Sequence, residues 1–239
     1  MTPPSTEDPD RPNLMAERPS LLIAGATGLV GRHVVTSAVA APRFGRIVTI
    51  GRRRLSEDVL PNDVVESVEQ HVVDYDALDA STGWADVDVV ICALGTTMKR
   101  AGGKARFRMV DYDYPLALAR HVREKGACHF ILVSSMGADP ESRIFYSRVK
   151  GEVEQDLRKA GFDRLTLARP TLLLGDRDES RFGEDLARRL RFVMRGKYRP
   201  IAAADVADAL LESVTWQKEP VRILEADELR STAQRFRDS

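Results

Sequence analysis

A chain of 239 residues, 43% of them apolar, is long enough for one sizeable core and has the composition of a folded globular protein. Its 36 Lys and Arg balance 36 Asp and Glu, so no overall field draws it to nucleic acid or to an anionic membrane surface, and function must sit in a local site. No window approaches the roughly 18 consecutive apolar residues of a membrane span, and the N-terminus lacks the basic and apolar regions of a signal peptide, which predicts a cytoplasmic protein.

Residues 1–19 carry five prolines, several acids and almost no apolar content. Burial cannot offset the ordering entropy of such a segment, and it is expected to be a disordered tail preceding a single domain over 20–239. Ser20 to Ala26 is an apolar run that enters Gly25-Ala-Thr27-Gly28-Leu29-Val30-Gly31, and Leu29 to Ala40 has helical apolar spacing until Pro42 and Gly45 break it. In such a strand, turn and helix the first glycine permits the tight turn, the second lets backbone approach a pyrophosphate, and the third lets helix pack on strand. The helix N-terminus then offers free N–H groups and partial positive charge to phosphates. Residues 25 and 27–31 are the expected dinucleotide cradle.

Arg46 to Ile50 reads as the second strand and runs into Gly51-Arg52-Arg53-Arg54, where an NAD-selective site would carry an acid for the ribose hydroxyl. No acid is there. Arg52 and Arg53 suit a 2′-phosphate, which predicts NADP (NADPH) with NAD as the weaker alternative; the other reading is a solvated basic loop. Val65 to Val73 is expected to be a third strand, after which Asp74 stands where an acceptor for the adenine amino group would be placed. Val87 to Ala93 is the fourth, closed by Ala93, Leu94 and Gly95, small enough in part to let backbone approach the cofactor. Cys92 and Cys128 lie in or beside apolar runs and read as small reduced core residues.

Lys99, Arg100, Lys104, Arg106 and Arg108 surround Gly102-Gly103, a pattern that fits either a lid attracting an anionic substrate or a solvated loop. Asp111 to Lys125 reads as a helix and His129 to Val133 as the fifth strand, ending in Ser134-Ser135. Tyr146 to Ala160 is the next helix, with Val149, Val153 and Leu157 inward and Gly161 as its stop. Leu165 to Leu174 reads as a strand bent at Arg169-Pro170. Gly175 to Arg199 is charged and irregular, a loop and one helix outside the sheet; Ala204 to Val214 is an amphipathic helix and Val221 to Glu225 a last strand. This alternation predicts an α/β fold, a doubly wound and mostly parallel sheet covered on both faces, with 175–239 completing the substrate side.

Tyr146 and Lys150, four residues apart, share one helix face, so the ammonium can lower the phenol's pKa and bring its proton within chemical reach. An isolated pair of this kind is commonly just an exposed helical pair. Here it follows the glycine turn and a strand ending in two serines, of which Ser135 is favoured over Ser134 as the hydroxyl sharing the pocket.

The glycine pattern, the serines and Tyr146-Ser-Arg-Val-Lys150 together resemble the short-chain dehydrogenase/reductase superfamily. The stretch from Leu94-Gly-Thr-Thr97 through Lys150-Gly-Glu-Val-Glu154 to Arg169-Pro170 and Gly175-Asp-Arg-Asp-Glu-Ser-Arg181 is similar to its atypical branch typified by the Tat-interacting protein. That resemblance implies that Ser135 polarises the substrate oxygen, Tyr146 acts as general acid or base, and Lys150 holds the nicotinamide ribose while acidifying Tyr146. Pro170 and Thr171 would border the nicotinamide, and Ser134 would adjoin the cofactor. The implied activity is NADP-dependent oxidoreduction of a small carbonyl or alcohol. Members of this branch are also linked to regulatory protein contacts, so the alternative is an NADPH-binding sensor with little turnover.

The expected partner is a small-molecule substrate, without nucleic acid or membrane, and with room for a homodimer or a protein partner. The basic stretch 188–199 is read as the outer face of a helix, with contact to an anionic partner as the alternative. His33, His71, His121 and His129 have no metal-ligand spacing and are read as structural.

Overall fold

The computed structural model describes residues 18–79, 83–174, 199–216 and 219–239. In chain order these form β1 (Ser20–Ala24), α1 (Leu29–Ala40), β2 (Arg46–Gly51), α2 (Asn62–Glu66), β3 (Glu69–Val72), β4 (Val89–Cys92), α3 (Met98–Ala101) and α4 (Lys104–Arg108). A π-helical turn over Met109–Asp113 leads into α5 (Tyr114–Glu124), followed by β5 (His129–Val133), α6 (Phe145–Leu157), β6 (Arg164–Arg169), β7 (Leu173–Leu174), β8 (Ile201–Ala202), α7 (Ala203–Trp216), β9 (Val221–Glu225) and α8 (Ala226–Asp238). A seven-stranded sheet has the order β3-β2-β1-β4-β5-β6-β9, with every neighbouring pair parallel, and β7 and β8 pair separately.

Alternation along β1 shows why the sheet is covered on both faces. Leu21 and Ile23 belong to one apolar layer with Val30, Val34, Ala38 and, from α7, Ala207 and Leu210; Leu22 and Ala24 belong to the other with Leu118, Val122, Val153 and Leu157. The strand order reverses direction at β1 and β4, which places the crevice for a ligand above the carboxyl ends of those two strands. No helix among the described residues is long and apolar enough to cross a membrane.

Several boundaries differ from the sequence reading. Pro19 is buried and its carbonyl accepts from Gly45 N at 3.2 Å, so the fold begins before Ser20; residues 1–17 of the expected tail lie outside the described residues. The stretch 65–73 is not one strand, because Pro61 opens a short helix that buries Val64 and pairing begins only at Glu69. The helix expected from Asp111 is helical from that residue on, but its first residues belong to the π-helical turn over Met109–Asp113, which runs unbroken into Tyr114–Glu124 with Pro115, which has no N–H to give, at the junction. The strand expected over 165–174 stops at Arg169, and Leu173-Leu174 join Ile201-Ala202 instead. The helix and loop expected over 175–198, and all of the basic stretch but Arg199, lie outside the described residues.

The sequence reading also missed α8. Nearly half of its residues are charged, but Ala226, Leu229 and Ala233 repeat at helical spacing on a buried face, and Glu225 and Glu228 form a reciprocal capping box at its start. Arg43 anchors it, pairing with Glu212 at 2.8 Å while its guanidinium lies 4.7 Å from the centre of the Phe236 ring.

Candidate active site

The glycine turn follows β1 directly. Gly25 has φ +86°, and a Cβ on it would lie 2.6 Å from the Ala93 carbonyl oxygen, so this position requires both the left-handed backbone and the absence of a side chain. A Cβ on Gly31 would lie 2.1 Å from Gly25 O, which is how closely α1 is drawn onto the turn. Gly28 caps α1 without a side-chain hydrogen bond, and no acid stands in the first turn. The N–H groups of α1 therefore face the crevice with their partial positive charge uncompensated by protein carboxylates, as a diphosphate requires. Thr27 is exposed, Leu29 is half-buried, and Val30 sends its side chain into the core, leaving only its backbone for a ligand. Gly28→Val is expected to abolish NADPH binding while the protein remains folded, because a Cβ there meets Gly25 O at 3.0 Å and Ala93 O at 3.9 Å, without the deep backbone overlap seen at Gly31, and the rest of the side chain would occupy the diphosphate's space. Isothermal calorimetry on the folded variant checks it; normal binding would displace the cofactor from this turn.

Arg52 and Arg53 are exposed just past β2. Close to them Tyr75 and Tyr114 stack at 5.2 Å, with the Tyr75 hydroxyl donating to Ile50 O and the Tyr114 hydroxyl to Asp76. Burial pushes both phenols upward, and Arg52 opposes this in each case, which places its charge at this end of the crevice. Asp74 is exposed and accepts from Asp76 N at 3.0 Å, which shapes the turn after β3. Ala93 and Leu94 pass against the Gly25 turn, and Ala93 N donates to Ala24 O. A Cβ on Gly95 would lie 3.4 Å from Asp111 Oδ1 and 4.0 Å from Lys150 Nζ, so this loop crosses directly over the candidate catalytic lysine.

Lys150 is 5% exposed at its side chain and its ammonium lies 2.8 Å from Asp111 Oδ1, itself 1% exposed. The other Asp111 oxygen accepts from Thr96 N at 2.9 Å. Burial alone would lower the lysine's pKa; Asp111 and Tyr146 outweigh it and the net direction is upward, so Lys150 is charged throughout the physiological range. Tyr146 is half-buried, and its ring lies 5.4 Å from that of Phe107, which also packs on Phe145.

The two serines part company. Ser134 is buried; its N–H donates to Ala168 O and its hydroxyl donates to Glu154 at 2.5 Å, so both of its donors are engaged within the protein. The Ser135 hydroxyl is half-buried with only a long 3.4 Å contact to Met136 O. Met136 N donates to Pro170 O, which seats Pro170 beside this serine, and Thr171 is buried with its hydroxyl donating to Arg199 O.

Asp111 was the residue the sequence reading passed over, as part of a helix. Its signal is periodicity: Asp111, Tyr114, Pro115 and Leu118 fall on one helical face, and the last three are core residues, so an acid in phase with them needs a buried counter-charge. Glu154 carries the same signal, being in phase with Lys150 and Leu157. Among the histidines, His129 is buried with Nε2 3.0 Å from Thr166 Oγ1, and His71 pairs with Glu69. Cys92 is buried in β4 and burial pushes its thiol up to about 12, which makes it an inert core residue.

The glycine cradle, the crevice at the strand reversal and a buried lysine one helical turn from a tyrosine define a nicotinamide-dinucleotide protein of the short-chain type. Residues 25–216 match the family described as NAD(P)H-binding, and the chain belongs to it, as an atypical short-chain dehydrogenase/reductase. It is similar to Protein HTATIP2 of Rattus norvegicus, with 39% identity over 180 residues that cover 75% of this chain and 73% of the relative. Fungal relatives are Protein fmp52, mitochondrial, of Emericella nidulans (35% identical over 170 residues, 71% and 73% of the two chains) and Protein FMP52, mitochondrial, of Eremothecium gossypii (32% over 226 residues, 88% and 95%). MoeE5 in complex with UDP-glucuronic acid and NAD superposes with a TM-score of 0.68 at 17% identity, over 90% of this chain and 81% of that one, and shares the fold.

The mitochondrial designation of those fungal relatives overturns the expectation of a cytoplasmic protein. Balanced charge and the absence of an apolar span exclude no aqueous compartment, so composition carried no information on which one the protein occupies.

Proposed function

We propose that this protein is an NADP(H)-dependent oxidoreductase for a small carbonyl or alcohol. The observation that carries this reading is the buried Lys150–Asp111 pair one helical turn from Tyr146, because an ammonium held charged in a desolvated site can stabilise the phenolate a tyrosine becomes when it gives up its proton. NADPH supplies the hydride at its nicotinamide when bound. Tyr146 gives its proton to the substrate oxygen and Lys150 stabilises the phenolate left behind, while Ser135, whose hydroxyl has no strong internal partner, donates to the same oxygen. Pro170 and Thr171 border the nicotinamide side. The test is a screen of aldehydes and ketones by loss of NADPH absorbance. If no carbonyl is reduced and NADPH instead alters capture of a defined protein partner, the sensor reading replaces this one.

The preference for the phosphorylated cofactor is supported by Arg52 and Arg53 at the end of β2, exposed to a ligand and without a neighbouring acid on that turn. NADPH is expected to bind more tightly than NADH, and Arg52→Ala to remove about 1.5–3 kcal/mol of that difference, roughly one to two decades in Kd. Calorimetry with both cofactors decides it, and equal affinities in the parent protein would sink the assignment.

A further inference from the structure

We propose that Glu154 is a positioning residue of this site, the single carboxylate that locks Ser135 and the Pro170 wall onto the helix carrying Tyr146 and Lys150. The inference rests on the oxidoreductase reading for its consequence in turnover, and on geometry for the lock itself. Tyr146, Lys150 and Glu154 stand at successive four-residue steps of α6 and therefore share a face. The Glu154 side chain is only 3% exposed, and all its visible bonds run to the carboxyl ends of two strands. Oε1 accepts from the Ser134 hydroxyl at 2.5 Å and from Arg169 Nε at 3.0 Å, and Oε2 accepts from Arg169 Nη2 at 2.6 Å.

Each partner immediately precedes a residue of the candidate site. Ser134 precedes Ser135 at the end of β5, and Arg169 precedes Pro170 at the end of β6. The two ends are tied to each other as well, through Ser134 N to Ala168 O at 2.8 Å and Met136 N to Pro170 O at 2.9 Å. Arg169 extends the lock to β9, with Nη1 3.3 Å from Glu225 Oε1. A forked arginine–carboxylate contact is directional, so it fixes distance and angle together, which an apolar contact of the same size would not. Glu154 thus sets how far the Ser135 hydroxyl and the Pro170 backbone stand from the Tyr146 phenol. A misplacement of about 1 Å between such groups is enough to cost about 100-fold in rate.

The test uses the full chain with NADPH bound and the variant Glu154→Gln, which keeps the side chain's size and removes its charge. NADPH affinity is expected to stay within about twofold, because the Gly25–Gly31 cradle is on the far side of the sheet's centre, while kcat for the best carbonyl falls about 10- to 100-fold with KM changed far less. In hydrogen-exchange mass spectrometry the peptides spanning 134–137 and 169–172 are expected to exchange faster, with those of β1 and α1 unchanged. A folded Glu154→Gln protein with unaltered kcat and unaltered exchange overturns the proposal, and so does a parallel loss of kcat and NADPH affinity, which marks general loosening. If the parent protein reduces no carbonyl, the oxidoreductase reading fails and exchange alone decides the lock. If Glu154→Gln does not fold, Ser134→Ala and Arg169→Lys each remove one arm and should shift the same peptides in the same direction; no shift in either overturns it.

Discussion

Tyr146→Phe is expected to retain NADPH affinity within about twofold and to lower carbonyl turnover by about 10²–10⁴-fold, the usual worth of a positioned general acid. The substitution removes one oxygen and leaves the ring, so the contacts with Phe107, 5.4 Å between centroids, and the packing of α4 on α6 persist. The cofactor's diphosphate and adenosine ends would meet α1 and the end of β2, neither of which touches the phenol. The measurement is steady-state NADPH oxidation beside calorimetric binding. A variant that reduces its best carbonyl as fast as the parent protein would remove the catalytic role from Tyr146 and leave the fold assignment standing.

Asp111→Asn is expected to cost about 3–5 kcal/mol of stability at neutral pH, because it strands a buried ammonium without its counter-charge. The pH dependence distinguishes this from ordinary loss of packing. In the parent protein the folded pKa of Lys150 lies above its unfolded value, so the pair's contribution is complete below about 10.4, the unfolded lysine pKa, and is lost as the pH rises through the folded value. In Asp111→Asn burial dominates and the folded pKa falls below the unfolded one. The penalty is then full at low pH and is relieved as the pH rises from the depressed value towards the unfolded value. Urea unfolding at pH 7 and pH 10 should show the two proteins drawing together at the higher pH. Parallel curves with one constant offset would mean that Asp111 acts by shape and the Thr96 N–H bond alone, and not by holding the lysine's charge.

Local periodicity made a large part of this protein legible. The glycine turn, the α1 helix, β5 and the Tyr146–Lys150 face are each specified within a dozen residues, and the strand and helix spacings there have no competing interpretation. The errors fall where local pattern is ambiguous. Val65 opens the valine-containing run that reads as strand, yet it lies in the helix Asn62–Glu66 that Pro61 caps. Leu173 and Leu174 continue an apolar run past Arg169, but proline removes a ladder donor and sends them to a second sheet. Helix α8 was hidden because its small buried face of Ala226, Leu229 and Ala233 is outnumbered by charge, and its stability depends on packing against α7.

By itself the sequence determined the alternation of strands and helices, hence the doubly wound parallel sheet, and it determined which residues share a turn or a helix face, because those relations depend only on the backbone's own period. Tertiary structure alone decided which buried charges meet. Asp111 reaches Lys150 and Glu154 reaches Ser134 and Arg169 only because the register of β4, β5 and β6 brings their carboxyl ends level beside α6. A buried carboxylate or ammonium announces that it needs a partner, since an isolated charge in the core costs several kcal/mol. Which partner it finds is a matter of strand order and register, and no local spacing in the chain encodes that.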